Sequence, residues 1–272
     1  MTLTTTTPGC PPMADREHTG GDVIRLIDTI FPSDANHHGT LFGGVALAHM
    51  DKVAFLAASR HGRAPFVTAS SEKIDFAAPA RIGELIEASA RVVRVGTSSL
   101  GVMVELVAED PISAERRLCT RGHFTLVAMK GEDSRLPLPP LPQDPAPVDE
   151  GTLRMVDIVF PQQTSHYGTL YGGDALKMMG KAAFVAATRR ARASIVMASS
   201  DRIDFASQIR SGEMVELAAR PLEIGRSSIQ IGVDLLAENL LTGDRRHAAT
   251  SRFTMVAVDR EGRPQPIEGA KV

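Results

Sequence analysis

The stretch "PSDANHHGTLFGGVALAHMDKVAFLAA", Pro32 to Ala58, is met again as "PQQTSHYGTLYGGDALKMMGKAAFVAA", Pro161 to Ala187. The two align without a gap at an offset of 129, and 16 of the 28 positions from Phe31 to Ala58 are identical. The offset holds further along. "ASSEKIDFA" at Ala69 to Ala77 matches "ASSDRIDFA" at Ala198 to Ala206, and "VGTSS" ending at Ser99 matches "IGRSS" ending at Ser228. "HFTLVAM" at His123 matches "RFTMVAV" at Arg252. A period of this length is the size of a small domain and far too long for a solenoid repeat. The chain is therefore a tandem duplication of one fold. The copies differ at two positions that matter for chemistry: Asp51 corresponds to Gly180, and Asn36 to Ser165.

Between the copies lies "KGEDSRLPLPPLPQDPAPVDE", whose six prolines rule out a helix and favour an extended tether. The organisation expected is a tail over 1–20, a first domain over 21–130, a linker over 131–150, a second domain over 151–259 and a tail over 260–272. The N-terminal segment has no apolar core of the kind a secretory signal carries. No apolar run is long enough to span a bilayer, so no membrane role is expected. A net charge of -2 argues against nucleic-acid binding by bulk electrostatics. The two cysteines, Cys10 and Cys119, make no disulfide framework or metal-ligand spacing, which fits a reducing cytoplasm.

Within each copy a strand ("VIRLIDTIF", "LRMVDIVF") leads through a glycine-containing loop to one helix, near Gly43 to Arg60 and Gly172 to Arg190. Strands follow around "VTAS", "EKIDFA", "ELIEASARVVRVG", "SSLGVMVELVAED" and "RLCTRGHFTLVAM". Alternation and β-branched enrichment support the long ones. In "GGVALAHMDKVAFLAA" the only charges are Asp51 and Lys52, so the helix is expected to be buried on most sides. The fold class is α+β: two tandem hotdog folds, each a buried central helix wrapped by a five- or six-stranded antiparallel sheet. The two units are expected to pair sheet edge to sheet edge about a pseudo-twofold axis.

Asp51 is a carboxylate in an apolar helix, which must be paired, hydrogen-bonded or kept for a purpose. Two readings are open: a structural, ion-paired Asp, or a general base. The loop before it, "NHHGTLFGG", ends in Gly43 and Gly44, and the second copy has Gly172 and Gly173. The first N–H groups of a helix have no intrahelical partner and can hold a carbonyl oxygen or an oxyanion. A glycine pair can equally serve close packing. Asp174 lies in a first helical turn, where its charge suits the helix dipole. Glu72, Asp75, Asp201 and Asp204 read as strand-edge charges that limit aggregation.

"PSDANHHGTLFGGVALAHMD", "VTASSEKIDFAAPARIGE" and "VGTSS" together resemble the hotdog acyl-CoA thioesterases of the cytosolic acyl-CoA hydrolase type. The resemblance covers both copies. It implies hydrolysis of fatty acyl-CoA to free acid and CoA, with no cofactor beyond the CoA of the substrate. It implies one pseudo-dimer per chain and a homotrimer of such chains, a pseudo-hexamer. It implies an Asp on the helix of one unit acting with an Asn on the loop of the other. Asp51 and Asn36 match those positions. Across copies, Asp51 would then face Ser165 and His166, while Asn36 would face Gly180. Asp51, Asn36 and Ser165 are the expected catalytic residues. Expected substrate contacts are His37, His166, the glycine pairs, and Ser98, Ser99, Arg226, Ser227 and Ser228, with Arg226 available to a CoA phosphate. The serine segments also read simply as turns between long strands. Two other readings stay open: an acyl-thioester dehydratase, whose His motif "NHHGTLFGG" does not match, and a non-catalytic acyl-CoA binder.

Overall fold

The computed structural model describes residues 23–130, 134–135, 137–141 and 151–267. The expected N-terminal tail lies outside the described residues, as does most of the linker. In the first unit, β1 (Ile24–Thr29) leads to helix α1 (Gly43–Gly62), then β2 (Phe66–Ser71), β3 (Leu85–Val95), β4 (Ser99–Glu109), β5 (Arg116–Lys130) and a two-residue β6 (Ser134–Arg135). The second unit repeats this as β7 (Leu153–Ile158), α2 (Gly172–Ala191), β8 (Ser194–Ser200), β9 (Asp204–Phe205), β10 (Met214–Ile224), β11 (Ser228–Glu238) and β12 (Arg245–Val258). Each makes a six-stranded antiparallel sheet, ordered β1-β3-β4-β5-β2 and β7-β10-β11-β12-β8 with the short strand beside β5 or β12. The register repeats as well as the order: Thr68 pairs with Leu126, and Met197 with Met255. These are the tandem hotdog folds that the repeat implied.

The expected "EKIDFA" strand is mostly absent. In the first unit Glu72 to Ala77 forms no strand beside β5 but is tied to it by Glu72 N–H to His123 O, Thr120 Oγ1 to Asp75 O and Ala77 N–H to Cys119 O.

Helix α1 buries Ala46, Met50, Val53, Ala54 and Ala57 against its sheet, the spacing of one helical face. It is not enclosed all along its length. Leu56 to His61 are buried throughout, whereas Phe42, Gly44, Leu47 and Ala48 at its start are exposed. The N-terminal end of the helix is therefore the open end. Both helices stop at a left-handed arginine, Arg63 with φ 47° and Arg192 with φ 51°. That conformation costs a residue with a Cβ about 1–2 kcal/mol. Each arginine is held there by a carboxylate of the opposite unit: Arg63 Nη1 lies 2.6 Å from Glu238 and Arg192 Nη1 2.8 Å from Glu109.

The two units share their interior. Val156, Ile158, Met214 and Leu240 of the second pack in the first core, and Ile27 and Leu85 of the first pack in the second. Strands β1 and β7, the facing sheet edges, run side by side. Around them, polar contacts obey the offset of 129. Lys52 binds Asp157 at 3.1 Å and Lys181 binds Asp28 at 2.9 Å. Arg60 binds Glu216 and Glu238 at 2.9 and 2.6 Å, and Arg189 binds Glu87 and Glu109 at 2.6 and 2.7 Å. Reciprocal contacts of this kind define a pseudo-twofold axis.

Chain beyond each sheet also packs. Leu138 lies against the first core, its N–H donates to Thr97 O at 3.2 Å, and Pro139 O meets His61 Nε2 at 3.0 Å. In the second unit Ile267 is buried and its N–H donates to Arg226 O at 2.8 Å.

Candidate active site

Asp51 sits in the third turn of α1, beyond the open first turns, and points toward the edge strand β2. Thr68 Oγ1 donates to its Oδ1 at 2.7 Å. The carboxylate is half-buried and Thr68 is exposed, so the pair faces solvent as well as protein. A single donor orients one oxygen and leaves the other oxygen's lone pairs able to accept a proton. Thr68 carries no motif signal of its own. The clue available in the sequence is that "VTASS" became "VMASS" where Asp51 became Gly180.

In the second unit, neither partner survives. An ideal Cβ built on Gly180 would lie 2.9 Å from Met197 Cε, and Met197 stands at the register position of Thr68. A glycine at this position leaves space beside the helix, and the Met197 methyl reaches into it.

At the helix starts, Phe42 and Tyr171 are the N-cap residues and neither offers a side-chain cap. Val45 and Ala46 N–H both donate to Phe42 O, and Asp174 and Ala175 N–H to Tyr171 O. The N–H groups of Gly43, Gly44, Gly172 and Gly173 have no acceptor among the described residues. A Cβ on Gly44 would lie 2.7 Å from the Phe42 ring, and one on Gly173 2.9 Å from the Tyr171 ring. The second glycine of each pair thus makes room for the aromatic ring of its own N-cap.

Asn36 and Ser165 organise their own loops. Asn36 Oδ1 accepts from the N–H of His38 at 2.9 Å and of Thr40 at 3.3 Å, and its Nδ2 donates to Thr40 Oγ1 at 3.0 Å. Ser165 Oγ accepts from Tyr167 N–H at 3.3 Å and meets Thr169 Oγ1 at 3.4 Å, a looser copy of the same turn. Among the described residues, the hydrogen bonds of the Asp51, Asn36 and Ser165 side chains lie within their own units. His37 and His166 are exposed beside these loops, stacked on His38 and Tyr167 with ring centroids 3.8 Å apart.

The serine segments are hairpin turns stitched to the neighbouring strand. Ser99 O accepts from Gly96 N–H, Ser98 O from Ala128 N–H, and Ser227 O and Ser228 O do the same in the second unit. The Arg226 side chain is exposed. Next to the start of α1 lies a cavity of about 370 Å³, lined by Leu41, Ala46, Phe76, Ala80, Leu106 and Cys119 among others. Burial holds the Cys119 thiol above its ordinary range, so it stays protonated and acts as an apolar wall. In the second unit, Ile209 replaces Ala80 and is buried in the core there.

His49 lies near both lysine–aspartate pairs of the pseudo-twofold. Burial first, and then Lys52, lowers its pKa from the ordinary 6.5, and its Nδ1 is buried without a hydrogen-bond partner among the described residues. Its counterpart is Met178, which shows that the position accepts an apolar side chain.

Comparison with known proteins agrees with this architecture. The family model of the thioesterase superfamily matches residues 38–115 and again 167–243. The chain belongs to the thioesterase superfamily, with two copies of its domain. It is 24% identical to the cytosolic acyl coenzyme A thioester hydrolase of Rattus norvegicus over 92% of this chain and 78% of that protein. Over 40% of its length it is 36% identical to an uncharacterized acyl-CoA thioester hydrolase of Bacillus subtilis, 64% of which is covered. The crystal structure of an acyl-CoA hydrolase from Agrobacterium tumefaciens superposes with a TM-score of 0.83 at 53% identity, over 91% of this chain and 98% of that one.

Proposed function

We propose that this thioesterase hydrolyses fatty acyl-CoA to the free acid and CoA, with Asp51 as general base at one composite site between the two units. The observation that carries this reading is the asymmetry of the helix position: a carboxylate held by Thr68 in one unit, Gly180 beneath Met197 in the other. The relatives named above, each an acyl-CoA thioester hydrolase, support the substrate class. In this reading Asp51 takes a proton from a water whose oxygen adds to the thioester carbon. The oxyanion that forms accepts from the free N–H groups of Gly172 and Gly173, where α2 begins. The C–S bond then breaks, and the leaving CoA sulfur takes back the proton. Ser165 and His166 position the thioester. Ser98, Ser99, Ser227 and Ser228 border the path of CoA, with Arg226 on a phosphate. His37, Gly43, Gly44 and Asn36 hold the equivalent places at the pseudo-site that lacks a base. The chemistry needs no metal and no redox cofactor.

The test is thiol release from a panel of acyl-CoAs of different chain length, alongside binding of the same ligands. Release from fatty acyl-CoAs is the expected result. Tight binding of every ligand without release would instead identify an acyl-CoA sensor, the reading that Gly180 and Met197 would favour if Asp51 were inert.

The assembly proposed is a trimer of double hotdogs. Both units leave matching apolar side chains exposed around the site: Phe42, Val67 and Phe76 in one, Tyr171, Val196 and Phe205 in the other. Such side chains beside an active site are suited to burial against another chain. Light scattering should give the mass of three chains; a stable monomer contradicts the assembly. A cytoplasmic setting accords with this reading. Among the described residues no helix is long and apolar enough to cross a membrane.

A further inference from the structure

The replacement at the second pseudo-site is a paired one, and its two members touch. Thr68 and Met197 occupy the same register position on equivalent edge strands, each just before the same irregularity in the ladder. Asp51 and Gly180 occupy the same position on equivalent helices. In the first unit, the pair is joined by a hydrogen bond of 2.7 Å. In the second, the Met197 methyl sits 2.9 Å from where any Cβ at position 180 would begin. Loss of the carboxylate alone would have left a hydroxyl without its acceptor; instead the hydroxyl is gone too, and a methyl lies beside the glycine.

We propose that Met197 is the residue that closes the second pseudo-site: its thioether fills the volume that the carboxylate occupies in the first unit, and Gly180 is retained to admit it. This rests on the reading of Asp51 as the base. It goes beyond that reading in assigning the asymmetry to one packed contact rather than to loss of a carboxylate alone. Glycine in a helix interior costs about 1 kcal/mol relative to Ala. A carboxylate introduced at position 180 alone would meet a thioether that cannot donate to it. Restoring the site therefore takes two exchanges, Gly180→Asp and Met197→Thr.

The experiment uses the full chain in an Asp51→Asn background, with thiol release from the acyl-CoA that the unaltered protein turns over best. Gly180→Asp with Met197→Thr should raise release at least tenfold over the background, and Gly180→Asp alone should raise it less. A folded double variant that stays at the background level overturns the proposal, as does a single Gly180→Asp variant that matches the double. If Asp51→Asn by itself retained full release, the base assignment would fail first and this proposal with it, a result seen before any second-site variant is made. Should the double variant not fold, the converse transplant decides. Asp51→Gly should lower the melting temperature, and Thr68→Met added to it should recover part of the loss by filling the space. No recovery overturns the packing claim.

Discussion

Asp51→Asn should lower thiol release by about 10²-fold or more, the usual worth of a positioned general base. The substitution is close to isosteric. The amide oxygen can still accept from Thr68 Oγ1, which donates to the carboxylate at 2.7 Å. Asp51 takes part in none of the ion pairs that join the units, which run through Lys52, Arg60 and Arg63 on the same helix. Loss of activity with an unchanged melting temperature would therefore report chemistry and not folding. Thr68→Ala leaves the base in place but frees its orientation, so kcat should fall by less than in Asp51→Asn, with KM little changed. Asn36→Ala should act differently again. Its side chain ties two backbone N–H groups of its loop, and in the proposed arrangement it belongs to the pseudo-site opposite Gly180. A modest effect is expected from it. An essential Asn36 beside a dispensable Asp51 would refute the cross-unit assignment. Equal and complete loss in both variants would put the two side chains in one site, and the thioesterase reading would stand on different geometry.

The fold was legible because it repeats, and the position of Asp51 because the repeat breaks there. Two gapless copies of "HxGTLxGG" before an alanine-rich helix define one supersecondary unit twice, and Asp51 stands out as the place where the copies disagree. Thr68 was not legible. A lone threonine in a strand is ordinary, and only its exchange for Met197 in step with Asp51 marks it. The charge network was also missed, although Arg60, Glu87 and Glu109 each recur at the offset as Arg189, Glu216 and Glu238. Alternation assigns a face to a side chain and not a partner, and these partners lie between 80 and 178 residues away. The helix burial was over-read for a related reason. An apolar circumference tells that a helix can be enclosed, while the neighbouring loops and strands decide which end stays open.

Glu238→Gln should destabilise the chain by about 3–5 kcal/mol, the usual cost of breaking a buried ion pair from one side. Its side chain is 1% exposed and lies 2.6 Å from Arg60, 2.6 Å from Arg63 and 3.7 Å from Arg245. Removing its charge takes from Arg63 the carboxylate it binds and leaves Arg60, Arg154 and Arg245 gathered on Glu216. A loss of this size is a large part of a typical total stability of about 5–15 kcal/mol and should lower the melting temperature by on the order of 10 °C. Glu105→Gln is the control: its partner Arg121 is exposed, and such pairs contribute about 0–1 kcal/mol. Equal melting temperatures for the two variants would show that the network does not hold the units together. Glu87 and Glu109, the equivalent carboxylates of the other network, set the acid limit. Burial pushes Glu109 upward, but hydrogen bonds from Arg189 and Arg192 outweigh it and hold the group below its ordinary 4.5; in Glu87 the Arg189 charge does the same. A carboxylate depressed in the folded state contributes stability that is present above 4.5 and lost as the pH falls below it. His49 acts in a higher window. It too is depressed when folded, so its ring is neutral in both states above 6.5, and below 6.5 the unfolded chain takes up the proton first. Stability should therefore fall in two stages on acidification. His49→Met, which copies Met178, should abolish the first stage and leave the second, because the arginine–glutamate network does not depend on the imidazole. A chemical-denaturation series from about pH 8 to about pH 2, roughly the span in which histidines and depressed carboxylates titrate, would show whether the histidine variant loses only the upper stage.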